Sequence, residues 1–160
     1  MSGLVPEFTM DDIRRRTDEF NRERIKKMFE VLSYIGIQCV NYAKNQVPLG
    51  TREKPAPGGG FWDRTGNLRS AIGYAVIYDG KVQREEFEKV KDGEEGISAG
   101  KKLIEELSRK YNKGMNLVVV AGMEYAAAVE SKRYDVITGS SYKGNELVDY
   151  MKKELGAVIS

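Results

Sequence analysis

Asp63-Arg64-Thr65-Gly66-Asn67-Leu68-Arg69-Ser70-Ala71-Ile72 runs directly into Gly73-Tyr74-Ala75-Val76-Ile77-Tyr78, and inside it the period of the chain changes. Thr65 is the residue type of a helix N-cap, whose hydroxyl accepts an orphan backbone N–H. Asp63 just upstream suits the positive end of that helix. From Ile72 onward, Ile72, Tyr74, Val76 and Tyr78 alternate with Gly73, Ala75 and Ile77, which is strand spacing. A short helix feeding straight into a β-strand is therefore expected at mid-chain.

Upstream, Val47 to Trp62 is punctuated by Pro48, Gly50, Pro55, Pro57 and Gly58-Gly59-Gly60 and reads as a loop, bounded here as 46–64. A connection of this length is disordered or functional. The triple glycine is not a phosphate loop, because no Gly-Lys-Ser/Thr follows and no strand precedes it. Phe61-Trp62 at its end are offered as a contact. Before the loop, Met10 to about Asn45 reads as one long helix. Ile25, Met28, Leu32, Ile35, Cys39 and Ala43 give its second half an apolar face. The first half holds acid-before-base pairs at i,i+4, namely Asp11–Arg15, Asp12–Arg16, Asp18–Arg22 and Glu23–Lys27. It is helical without burying much, so residues 1–24 are expected to form an arm that is solvated or packed on a neighbouring subunit.

Downstream, Asp79-Gly80 is a two-residue hairpin turn. Lys81–Val90 reads as an edge strand, with a helix as the competing assignment. Asp92–Gly96 breaks the chain, and Ser98 caps a helix carrying Leu103, Ile104, Leu107 and Tyr111 that ends at Gly114. The β-branched run Leu117–Gly122 predicts a central strand. Glu124–Glu130 predicts a short helix of small residues, and Arg133–Ser140 a loop or short strand. From Ser141 or Asn145 to about Ala157, Leu147, Met151, Leu155 and Val158 mark one face of a last helix. The fold class is α+β: a long N-terminal helix and C-terminal helices on a small, mainly antiparallel sheet, in one domain spanning 1–160.

Composition narrows function. The 26 basic and 24 acidic residues nearly cancel, leaving a net charge of +2 and no general case for nucleic-acid or membrane binding. Cys39 is the only cysteine, so no internal disulfide forms and a reducing compartment is expected. No basic segment followed by an apolar one opens the sequence, so no signal peptide is expected. Leu117–Met123 is too short to cross a bilayer. With no histidine, Ser-His-Asp and Cys-His catalysis and His-bearing zinc sites are excluded. Asp63, Glu124 and Glu130 lack the spacing of a metal loop, and Lys132-Arg133-Tyr134 is a small basic-aromatic cluster able to touch phosphate or an acidic partner. No catalytic set emerges, and no cofactor or metal is expected.

Two segments carry a resemblance. Thr65-Gly66-Asn67-Leu68-Arg69-Ser70-Ala71-Ile72 resembles the T-G-x-L-R-x-S-I segment of the head–tail joining, or tail-completion, proteins of long-tailed bacteriophages. Val118-Val119-Val120-Ala121-Gly122-Met123-Glu124-Tyr125-Ala126-Ala127-Ala128-Val129-Glu130 is similar to that family's V-x-V-G-x-x-x-x-Y-A-x-x-V-E. The order of elements also fits over about residues 10–157. Ala71 stands where the family has Ser, Ser131-Lys132-Arg133 where it commonly has a glycine, and the helix from Ser98 to Asn112 is an enlargement.

The resemblance implies a structural virion protein, assembled in the bacterial host cytoplasm. It would form a ring, commonly of six copies, between the head connector and the tail tube, with double-stranded DNA passing through the lumen. It implies no catalysis and no cofactor. The expected interface residues are Phe61, Trp62, Arg64, Arg69, Glu124, Tyr125, Glu130, Lys132 and Arg133, with Glu124 or Glu130 pairing with Arg64 or Arg69 across a subunit boundary. The alternative from the residues alone is a small α+β enzyme or nucleic-acid-binding protein using Asp/Glu–metal chemistry.

Overall fold

A three-stranded antiparallel sheet, in the order β2–β1–β3, lies between helices on both of its faces. The computed structural model describes residues 7–46, 63–123 and 137–159. The elements are α1 (Met10–Gln46), α2 (Asn67–Ala71), β1 (Ile72–Tyr78), β2 (Lys81–Phe87), α3 (Glu94–Lys110), β3 (Met115–Ala121) and α4 (Thr138–Ile159). The architecture is the expected α+β one. The Gly/Pro loop and the expected helix Glu124–Glu130 lie outside the described residues, apart from the loop's two ends.

β1 is the central strand. Ile72, Tyr74 and Val76 face α1, in a core shared with Val40, Ala43 and Leu68. Ala75 and Ile77 face α3, in a second core with Ile104, Val118 and Val120. Burial on both faces is why this strand holds no charged residue. Leu117–Gly122 was expected at the centre, but among the described residues β3 pairs with β1 alone. Its apolar character has another cause: Leu117 and Val119 pack toward α1 while Val118 and Val120 pack toward α3. β2 is the edge strand, and its first six residues are exposed. Its charges suit an edge that should not recruit another strand.

The hairpin turn forms as expected. Asp79 and Gly80 both have positive φ, 47° and 76°, as the tight turn between right-twisted strands requires. The turn is also tied to the start of β3, because Gly114 N–H donates to Asp79 Oδ1 at 2.8 Å and Asp79 N–H donates to the Gly114 carbonyl at 2.9 Å.

α3 begins at Glu94, four residues before the Ser98 start expected from sequence. Within the run Asp92–Gly96, Asp92 and Gly93 form the turn before the helix, and Glu94–Gly96 open its first turn. Glu94 and Glu95 favour the positive helix end, and the glycines serve contact with α2. A Cβ on Gly96 would lie 2.0 Å from the Asn67 carbonyl oxygen, and one on Gly93 would lie 1.9 Å from Ser70 Oγ. The same helix face carries Gly100, where a Cβ would meet the Phe87 ring at 2.3 Å.

α1 starts on a reciprocal cap. Asp12 N–H donates to Thr9 Oγ1 at 3.2 Å, and Thr9 N–H donates to Asp12 Oδ2 at 2.9 Å, which satisfies two donors at the helix start. The acceptor role holds the Asp12 carboxyl below its ordinary value. The arm's ion pairs are Asp11–Arg14 and Asp12–Arg15 at i,i+3, in place of the expected i,i+4 pairs. Farther on, Ile35, Cys39, Val40 and Ala43 are buried, whereas Ile25 and Met28, placed on the apolar face from sequence, are exposed. The buried face starts one to two turns later because the sheet ends there.

Gly96→Ala tests the α2–α3 approach. Alanine gains up to about 1 kcal/mol of helix propensity, but its Cβ would lie 2.0 Å from backbone that cannot rotate away, which puts overpacking at the top of its usual range, about 3 kcal/mol. Urea denaturation should show a net loss of about 2 kcal/mol. Gly114→Ala, with nothing within 4 Å and only a φ of 65° to strain it, should lose about 1 kcal/mol. Equal losses at the two positions would remove the steric argument.

Candidate assembly interface

Of the nine residues expected at an interface, Arg64 and Arg69 fall within the described structure; Phe61, Trp62, Glu124, Tyr125, Glu130, Lys132 and Arg133 lie outside the described residues. Arg64 is exposed, and its carbonyl accepts a hydrogen bond from Lys91 Nζ at 3.3 Å. Arg69 is half-buried in the last turn of α2 and sits close enough to Glu88 to favour that carboxylate's charged form. The two arginines are thus not equivalent. Arg64 faces solvent, and Arg69 belongs partly to a polar cluster of its own chain.

Between them lies the residue that sets the local geometry. Asp63 is 3% exposed. Its Oδ1 accepts from Gly66 N–H at 2.9 Å and its Oδ2 from Arg69 N–H at 2.8 Å. The expectation that Thr65 caps α2 is therefore corrected. The N-cap position is Gly66, with φ 82°, and the carboxylate of Asp63 reaches over it to the third N–H of the helix. Thr65 Oγ1 accepts only from Asn67 N–H, at 3.3 Å. A carboxylate wins because a charged acceptor bonds two backbone donors more strongly than a hydroxyl bonds one.

Two polar contacts not expected from the sequence reach the end of β2, one from α1 and one from β1. Lys44, whose side chain is 5% exposed, donates to Glu88 Oε2 at 2.9 Å. That hydrogen bond and the ammonium charge lower the Glu88 carboxyl from its ordinary value of 4.5. The Tyr74 hydroxyl donates to Glu86 Oε2 at 2.9 Å. Burial, then the Glu86 hydrogen bond and charge, push the Tyr74 phenol upward. Its ring lies against α1 where Gly36 leaves room, since a Cβ there would be 2.4 Å from Tyr74 Cδ2. Among the described residues no three His, Cys, Asp or Glu side chains gather to hold a metal ion. Burial raises the Cys39 thiol, which keeps it unreactive.

Two surfaces are not covered by the described residues. The first is the arm: Phe8, Met10, Ile13, Phe20, Ile25 and Met28 are 37–65% exposed. Met10, Ile13, Thr17 and Phe20 follow one another at helical spacing along one side. The sequence reading counted Ile13 and Phe20 but missed that Met10 and Thr17 complete a stripe. The second is a groove of about 700 Å³ between the second half of α1, β3 and α4, lined by residues such as Leu32, Leu117, Val119, Ile137, Tyr142 and Val148 and, among the described residues, by no charged side chain. A smaller recess of about 330 Å³ lies where the arm leaves the sheet, beside Ile25, Phe29, Tyr78 and Met115.

No family model, curated protein or solved structure matches this chain.

Two substitutions test the cap. Asp63→Ala removes both acceptors from buried donors and should cost about 2–3 kcal/mol in urea denaturation, while Thr65→Ala should cost a few tenths. A larger loss at Thr65 would return the cap to the hydroxyl. The Lys44–Glu88 pair makes a prediction in pH. Because the folded Glu88 carboxyl is lowered, its stabilisation is present above about pH 4.5 and is lost as pH falls through the folded value. The Glu88 side chain is 75% exposed, so solvent screening limits the effect to about 1 kcal/mol. Glu88→Gln should be less stable than the parent by that amount at pH 7, and the gap should close in acid. A gap unchanged down to pH 3 would assign the loss to packing.

Proposed function

We propose that the chain is a structural subunit of a tailed bacteriophage or prophage, forming a ring at the head–tail junction in the tail-completion or neck position. One observation carries the reading. From Met10 to Phe20 the helix leaves Met10, Ile13 and Phe20 exposed along one side. Large apolar side chains repeated along one exposed helix side suit a protein contact, and a reciprocal cap gives the arm its own helix start. A polar solvated spacer would need neither feature.

The sequence resemblance supports the same reading from a different side. Residues 65–72, which resemble T-G-x-L-R-x-S-I, build the capped turn and short helix that launch the central strand. Long helix, short helix, hairpin, third strand and last helix follow in the order the resemblance implies. In this reading several copies, commonly six, stack between a head connector and a tail tube. Double-stranded DNA passes through the lumen without base readout, and no cofactor takes part.

The purified protein at micromolar concentration, alone or with a connector ring and tail tube supplied, should sediment as several copies and show rings by electron microscopy. Removing residues 1–24 should leave the circular dichroism of the remaining domain and abolish the rings. A full-length chain that stays single with both partners present overturns the proposal.

A further inference from the structure

We draw no further inference here: the strongest candidate, the groove between α1, β3 and α4 walled by Leu32, Val119 and Val148, carries nothing because nothing among the described residues shows what covers it.

Discussion

The structure depends on backbone brought closer to backbone than any side chain permits. Gly96 and Gly100 present a bare face of α3, and Gly93 caps its start. α2 lies against it, and the end of β3 comes near enough that a Cβ on Gly122 would be 2.3 Å from the Gly100 nitrogen. Gly122 N–H also donates to the Ala71 carbonyl at 3.1 Å. Ser70, on the buried side of α2, accepts from Val90 N–H at 2.7 Å. The start of the central strand is thereby held from three directions before any large side chain packs. Glycine in a helix costs stability by itself, so Gly96 and Gly100 are retained only if close approach returns more than they cost.

From that seam the rest follows. With α2 fixed, β1 emerges at one defined angle, and its two faces take opposite helices. Phe87 then fits between Gly73 and Gly100, where the missing Cβ atoms leave space for its ring. On the other face, Gly36 lets the Tyr74 ring rest on α1, and the Tyr74 hydroxyl reaches Glu86 on the edge strand. Lys44 makes a parallel link from α1 to Glu88. Polar bridges of this kind fix register more than they add stability, because a buried ammonium gives up much of its hydration for one acceptor.

What the sequence made legible was the part governed by period. The long helix, the Ile72–Tyr78 strand, the Asp79-Gly80 turn and the apolar third strand each carry a local pattern, and each element forms. What it hid was set by partners distant in the chain. Gly93 and Gly96 looked like breakers because nothing local says that α2 will lie against them. Thr65 looked like the cap because the bend that swings Asp63 over Gly66 needs a left-handed residue, whose consequence is not periodic. β3 was taken as central because apolarity on both faces cannot distinguish two neighbouring strands from two covering helices. Of the interface, Arg64 and Arg69 were legible as residues but not as different environments. The groove was not legible at all, since its walls come from three separate parts of the chain.

One consequence of the long helix concerns the direction of its exposed half. The stripe from Met10 to Phe20 lies on the projecting half of α1, and Leu32 and Ile35 belong to its packed half. No loop intervenes, and no proline occurs between Met10 and Gln46 to bend the axis. The packed half is clamped by the sheet on one side and by α4 on the other, where Gly144 brings α4 close to Cys39 Sγ. An unbroken helix anchored at one end makes the direction of the exposed half a property of a single rigid element, set where the packed half meets the sheet and α4.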